Sequence, residues 1–212
     1  MDTIGIVSIL EDSLYKDVKS LWKVFEQKYG SVGVQTFSHP HISFQGGKTD
    51  SLGQLTRDFQ DVVANIGPFV IEVSGFGHFD EEVIYLKVDK TDSLIDISKR
   101  INHFVKDHCR DLFEHYMPEN WIPHITLAMD DLTEEAFEKA WAELKNSEIE
   151  FKQEVHNICA VKWYPDGKIR MVEEYELQSA ALYSGISLRG IVNLMESQPD
   201  GIETESGDHH RR

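Results

Sequence analysis

The chain has 212 residues, of which 41% are apolar and 27% charged, an ordinary composition for a globular protein that can bury a substantial core. The formal net charge of -16 argues against a protein that grips a long nucleic-acid duplex or an anionic membrane, although a nucleotide can still enter a locally positive pocket. No apolar run is long enough to span a bilayer, and the N-terminal residues do not resemble a signal peptide. We therefore expect a cytoplasmic protein whose two cysteines are reduced.

Apolar patterning and capping residues predict strands and helices in alternation along the first half of the chain. Gly30 is expected to end the first helix, and Gly46 with Gly47 is expected to break the stretch before it. The predicted elements are a strand over 3–10, a helix from 12 or 13 to 29, an extended stretch over 32–44, a helix from 50 or 51 to 65, strands over 69–73 and 83–88, and a glycine-kinked stretch over 74–79 between those two strands.

The second half of the chain weakly repeats this order of elements. The predicted elements are a helix over 94–113 opened by Asp92 or Ser93, a strand over 121–129, a helix that Thr133 opens, and strands over 149–163 and 169–177 around a turn at 164–167. This repeat predicts an α+β fold of two pseudo-symmetric lobes, with helices outside and related strands facing each other.

The C-terminal part falls outside this plan. We predict one domain over 1–178 and an extension over 179–212, whose positions 186–196 have the pattern of an amphipathic helix. That helix would either dock on the protein's own core or bind a partner or a second copy, and a monomer is expected. From Ser197 the chain is polar and is predicted to be disordered.

One short pattern occurs twice, about eighty positions apart. Residues 40–44 read Pro-His-Ile-Ser-Phe, and residues 123–127 read Pro-His-Ile-Thr-Leu. Side chains alternate across a strand, so each histidine shares a face with the hydroxyl residue two places later, while the apolar residues point to the core. Two such strands facing each other would place two imidazoles and two hydroxyls around one cavity, a set that suits a phosphate group.

The paired motifs His41-Ile42-Ser43 and His124-Ile125-Thr126 resemble those of the two-histidine (2H) phosphoesterase superfamily, which includes 2′-5′ RNA ligase-like proteins and cyclic nucleotide phosphodiesterases. The glycine-rich stretch at 75–79 and the strand after it also resemble the middle of that fold. The similarity covers roughly residues 1–178. It implies a bilobal fold in which each lobe has an antiparallel sheet flanked by helices around a central cleft.

The resemblance implies a phosphodiesterase that needs no metal or other cofactor and acts on 2′,3′-cyclic phosphates or 2′-5′ bonds of nucleotides and RNA ends. By family analogy His124 is the base and His41 the acid, roles that exchange when the reaction runs towards ligation. Ser43 and Thr126 would donate hydrogen bonds to the non-bridging oxygens, where charge gathers in the transition state. Histidine suits both proton transfers because its ordinary pKa is about 6.5.

A nucleobase needs a surface on which to stack, and aromatic side chains supply one. The candidates for this binding role are Phe79, Trp163 and Tyr164, whereas Phe76 and Tyr85 are expected to pack in the core.

Other hypotheses remain open from the sequence. The same site could hydrolyse cyclic oligonucleotide signals, or the chain could bind nucleotides or RNA ends without turnover. A metal site built from His39 and His41 with His78 or His124 is a further alternative. The chain has no Gly-x-x-x-x-Gly-Lys loop, which argues against ATP-driven chemistry.

Overall fold

The computed structural model describes residues 1–147 and 149–178. The helix predicted at 186–196 and the polar tail after it lie outside the described residues. The elements are helices α1 (Asp12–Tyr29), α2 (Leu52–Val63), α3 (Asp92–His108) and α4 (Glu134–Leu144), two short 3₁₀ helices (Gly33–Thr36 and Glu114–Tyr116), and strands β1 (Asp2–Ile9), β2 (His41–Thr49), β3 (Phe69–Phe79), β4 (Val83–Val88), β5 (His124–Ala128), β6 (Glu150–Val155), β7 (Asn157–Trp163) and β8 (Ile169–Glu176). No helix in this part of the chain combines the length and apolar character needed to cross a membrane.

The eight strands form two four-stranded antiparallel sheets flanked by helices, which confirms the predicted α+β class. Sheet A has the order β2-β1-β7-β8, and sheet B has the order β5-β4-β3-β6. Sheet B comes from one continuous stretch of chain, whereas sheet A combines the first two strands with the last two. The lobes are therefore not successive halves of the weak repeat, because the chain leaves sheet A, completes sheet B and then returns.

The strands that carry the two motifs, β2 and β5, are both edge strands, and they contact each other where the sheets meet. Helix α1 follows a strand of sheet A but packs on β5 of sheet B, and α3 follows a strand of sheet B but packs on β2 of sheet A. The apolar faces of both sheets and the helices share one buried core. Each motif strand is thus supported by a helix from the other part of the chain.

The helix ends follow the capping chemistry of the sequence. Gly30 adopts a left-handed conformation with φ of 72° and ends α1, as predicted. The hydroxyl of Thr133 accepts a hydrogen bond from the Ala136 N–H and opens α4, also as predicted. Thr91 performs the same role for α3, so the expectation that Asp92 or Ser93 opens this helix was wrong by one position.

Gly46 and Gly47 do not break the second strand, which continues through them to Thr49. A Cβ at Gly46 would lie 2.4 Å from the Phe113 ring, and one at Gly47 would lie 2.9 Å from the Arg110 carbonyl oxygen. The glycines therefore allow the segment 109–113 to run directly against β2. The same pairing ends α3 at His108, because the backbone of Arg110 bonds with Lys48 instead of continuing the predicted helix.

Three other predicted boundaries were wrong. The stretch over 32–44 contains a 3₁₀ helix and becomes a strand only at His41. The stretch over 69–79 is one strand, since an irregularity in its pairing and a φ of 89° at Gly75 absorb the kink. The apolar stretch over 149–163 divides at His156 into β6 and β7, which belong to different sheets.

Candidate active site

Both motif strands have the predicted alternation. Ile42 and Phe44 are fully buried, as are Ile125 and Leu127, and they anchor the two edge strands in the core. His41, Ser43, His124 and Thr126 lie on the other face of their strands and are half-buried. Because β2 and β5 contact each other, the structure brings the two imidazoles and the two hydroxyl residues to one place.

The two imidazoles are oriented in the same way. Nδ1 of His41 lies 2.8 Å from the carbonyl oxygen of His39, and Nδ1 of His124 lies 2.7 Å from that of Ile122. A carbonyl oxygen only accepts hydrogen bonds, so each Nδ1 must be the protonated nitrogen that donates. Nε2 is then the nitrogen available for proton transfer, as a base when the ring is neutral and as an acid when it is charged.

The protein surroundings of both rings favour the neutral form. Burial lowers the pKa of His41 to about 4, against the opposing hydrogen bond to His39, and the positive charge of His124 lowers it further. Burial also lowers the pKa of His124. An anionic phosphate placed beside a ring would oppose its shift, because it favours the charged imidazolium.

Aromatic rings account for much of this burial. The Phe37 ring packs edge-on against His41 at 5.1 Å between centroids. On the other sheet, Phe79 and Tyr85 lie 5.0 and 5.1 Å from the His124 ring. Phe79 was predicted as a binding residue, whereas Phe37 was missed. Tyr85 is buried as expected for a core residue, but its ring faces the motif rather than the main core.

Two buried tryptophans hold the backbone of the motif strands. The Trp22 indole on α1 donates to the carbonyl oxygen of Thr126, and the Trp121 indole donates to that of Ser43, each at 2.9 Å. Both side chains are 2% exposed. An edge strand offers carbonyl groups that its own sheet leaves unpaired, and these indoles satisfy one in each motif. Neither tryptophan was predicted as part of the site.

Two more residues stand beside the motifs and escaped the sequence interpretation. The Tyr116 side chain lies near that of Ser43; burial raises the pKa of Tyr116, and the Ser43 side chain opposes the shift. Lys87 is exposed and pairs directly with His124 across β4 and β5, which puts both side chains on one face of sheet B. Neither is near its motif in sequence, so only strand register and chain folding could reveal them.

Trp163, the last residue of β7, and Tyr164, which follows it, separate onto opposite faces of sheet A. Trp163 and Cys159 are four residues apart on β7 and therefore lie on the same face of the sheet. Cys159 pairs with Val7 of β1, and Val7 pairs with Ser43 of β2, so this face also carries Ser43. The Tyr164 ring lies against Lys162 and Arg170, whose side chains are on the other face. The structure therefore brings Trp163, and not Tyr164, to the side that carries the first motif.

The histidines considered for a metal site have other contacts. Nδ1 of His39 lies 3.1 Å from the Tyr15 hydroxyl, and burial lowers the pKa of this histidine. His78 packs edge-on against Phe137 and Trp141 of α4. Within residues 1–147 and 149–178, no three His, Cys, Asp or Glu side chains are grouped as ligands for a metal ion.

Comparison with known proteins agrees with this architecture. The family model described as the 2′-5′ RNA ligase superfamily matches residues 10–167, and the chain belongs to this superfamily of two-histidine phosphoesterases. A Staphylococcus saprophyticus protein that carries a phosphoesterase name, SSP1770, is 23% identical over 181 residues, which are 82% of this chain and 98% of that protein.

Solved structures show the same fold at low identity. TT0787 of Thermus thermophilus is 15% identical with a TM-score of 0.57, and the match covers 85% of this chain and all of that one. E. coli LigT, solved with 3′-AMP, is 12% identical with a TM-score of 0.54 over 84% of this chain and all of LigT. LigT has also been solved with NADP+, and that structure gives a TM-score of 0.51.

Proposed function

We propose that this protein is a metal-independent phosphodiesterase that hydrolyses 2′,3′-cyclic phosphates or 2′-5′ phosphodiester bonds of nucleotides or RNA ends. The observation that carries the proposal is the pair of half-buried imidazoles on adjacent edge strands, each with Nδ1 bonded to a backbone carbonyl and with a hydroxyl residue beside it. Two oriented groups of this kind can serve as a base and an acid on opposite sides of one phosphorus. The LigT structure with 3′-AMP supports a nucleotide as the ligand class.

The reaction requires one proton transfer at each histidine. Neutral Nε2 of His124 removes a proton from water as the water oxygen bonds to phosphorus, and Nε2–H of the His41 imidazolium protonates the departing 2′ or 3′ oxygen. The P–O bond to that oxygen breaks, and solvent exchange returns both rings to their starting states. Ser43 and Thr126 donate to the non-bridging oxygens, where negative charge increases in the transition state.

The pKa directions fit this cycle. Burial lowers the pKa of His124 and so favours the neutral ring, which is the form that acts as a base, before any substrate binds. At His41, where the pKa is about 4, the acid is charged only after the substrate phosphate binds and attracts the proton. Phe79, whose ring contacts His124, supplies the stacking surface for a single base, and Tyr164 is not expected to contact the substrate because it lies on the other face of sheet A.

The test is turnover of a 2′,3′-cyclic nucleotide and a 2′-5′-linked dinucleotide in excess EDTA. We expect His41→Ala and His124→Ala each to lower kcat by about 10²- to 10⁴-fold, as for loss of a general acid or base. His103→Ala is the matched control, because the His103 side chain is 82% exposed. Activity that disappears in EDTA would overturn the mechanism in favour of a metal site. Binding without turnover would favour a nucleotide-binding module, and turnover of cyclic oligonucleotides alone would change the substrate but keep the site.

A further inference from the structure

The face of sheet A that carries His41 and Ser43 includes two adjacent glycines, one on each of two paired strands. Ile9 pairs with His41 and Val7 with Ser43, so the alternate residue Gly5 of β1 shares their face, and its partner across the sheet is Gly46. Two neighbouring positions without side chains leave room for large rings to lie directly on the backbone.

Two aromatic rings lie over these two glycines. A Cβ at Gly5 would be 3.2 Å from the Trp163 ring, and one at Gly46 would be 2.4 Å from the Phe113 ring. The centroids of the two rings are 5.7 Å apart, with the planes nearly perpendicular. Trp163 is nevertheless 39% exposed, which is unusual for so large an apolar side chain. We name Trp163, Phe113 and the two glycines beneath them the aromatic platform.

The aromatic platform lies within reach of the first motif. Gly46 is three positions beyond Ser43 on the same strand, roughly 10 Å at the usual rise per residue. On sheet B, Phe79 and Tyr85 form a second aromatic surface directly beside His124. The motifs thus lie between two aromatic surfaces, one on each sheet.

We propose that the aromatic platform binds a second nucleobase, so that the substrate has a base on each side of the reacting phosphorus. This inference rests on the proposed function and narrows its substrate class to dinucleoside phosphodiesters and longer oligonucleotides. A mononucleoside cyclic phosphate has one base and would leave one of the two surfaces unused. Aromatic rings can stack with any of the bases, so binding of a base at the platform requires no further polar contacts.

The chain offers a matched pair of variants for the test. Trp163 and Tyr164 are neighbours at the end of β7 and have similar exposures of 39% and 36%. Trp163 contributes to the aromatic platform, whereas Tyr164 lies on the opposite face with Lys162 and Arg170. Trp163→Ala therefore removes the platform, and Tyr164→Ala removes comparable aromatic surface without touching it.

The experiment measures kcat/KM for 2′-5′-linked diadenosine phosphate and for adenosine 2′,3′-cyclic phosphate. For Trp163→Ala we expect a loss of about tenfold or more on the dinucleotide, the usual effect of one stacked base, and a change below about twofold on the cyclic mononucleotide. Phe113→Ala should act in the same direction, and Tyr164→Ala should change neither substrate. Equal losses on both substrates, or no loss beyond that of Tyr164→Ala, would overturn the proposal.

Binding distinguishes failure of this inference from failure of the proposed function. If the folded wild-type protein cleaves neither substrate, the proposed function fails, and the platform is tested by titrating the dinucleotide while tryptophan fluorescence is recorded. A base stacked on Trp163 should quench its emission, and the quenching should disappear in Trp163→Phe while binding remains. Binding without quenching at Trp163, or no binding at all, would overturn the inference independently of catalysis.

Discussion

The two motifs have almost the same sequence, but sheets A and B surround them differently. Both histidines bond through Nδ1 to the carbonyl two residues earlier, so strand geometry alone fixes their orientation. Their neighbours are not equivalent. His41 packs on Phe37, whereas His124 packs on Phe79 and Tyr85. A repeated strand pattern therefore sets which nitrogen of each ring is bonded to the backbone and which is free, while the surrounding fold sets how readily each ring takes a proton.

The hydroxyl residues differ in a related way. Thr126 is β-branched and restricted at χ1, whereas Ser43 has more rotational freedom. Tyr116 lies near the Ser43 side chain, so the less restricted hydroxyl is the one with a polar neighbour from outside its strand. The backbone of both residues is held in the same manner by an indole from another part of the chain. Each half of the site therefore depends on residues that lie far away in sequence.

The largest predicted effect is on stability at acidic pH and concerns the first motif. The pKa of His41 is lowered to about 4, so the unfolded state binds more protons than the folded state between about pH 6.5 and 4. His41 therefore contributes stability that is present above pH 6.5 and is lost as the pH falls towards 4, by up to about 3 kcal/mol. Urea unfolding of wild type and His41→Gln at pH 7 and pH 4.5 measures the difference. His103→Gln is the exposed control, and equal acid sensitivity of wild type and His41→Gln would contradict the prediction.

The next largest predicted effect is on the free energy of unfolding, and it shows whether the two indole hydrogen bonds are equivalent. Trp121→Phe and Trp22→Phe each keep an aromatic ring but remove the donor to a motif carbonyl, and leaving a buried carbonyl unpaired costs about 1–3 kcal/mol. We expect similar losses in the free energy of unfolding for both, together with a lower kcat. Trp163→Phe, at an exposed position, should change stability by less than about 0.5 kcal/mol. Losses no greater than this control would show that the indoles do not hold the strands.

The smallest effect concerns the difference between serine and threonine. Tyr116→Phe should lower kcat by about two- to tenfold, the value of one net hydrogen bond. In a Ser43→Thr background the same change should cost less, because the β-branched side chain restricts its own rotation. The four kcat values form a double-mutant cycle. Additive effects would mean that Tyr116 does not act through Ser43.

The sequence predicted the central pair of the candidate site because its signal is local. The alternation around His41 and His124 follows from strand geometry within five residues, so the buried and polar faces could be predicted without knowing the fold. Helix limits at Gly30 and Thr133 were predictable for the same reason, since a left-handed residue and a hydroxyl cap act within one turn. The α+β class followed from the order of the elements.

Tertiary structure decided which distant residues complete the site. Trp22, Trp121 and Tyr116 reach the motifs only because helices and connecting segments cross to the opposite sheet, and no local pattern encodes that exchange. The separation of Trp163 from Tyr164 likewise depends on the register of β7 against β1. The sequence by itself determined which residues share a strand face with each histidine, since strand alternation is a property of neighbouring residues. The lowered histidine pKa values, the indole hydrogen bonds and the aromatic surfaces beside the motifs were decided by the fold, since burial and cross-strand contacts exist only once the sheets have formed.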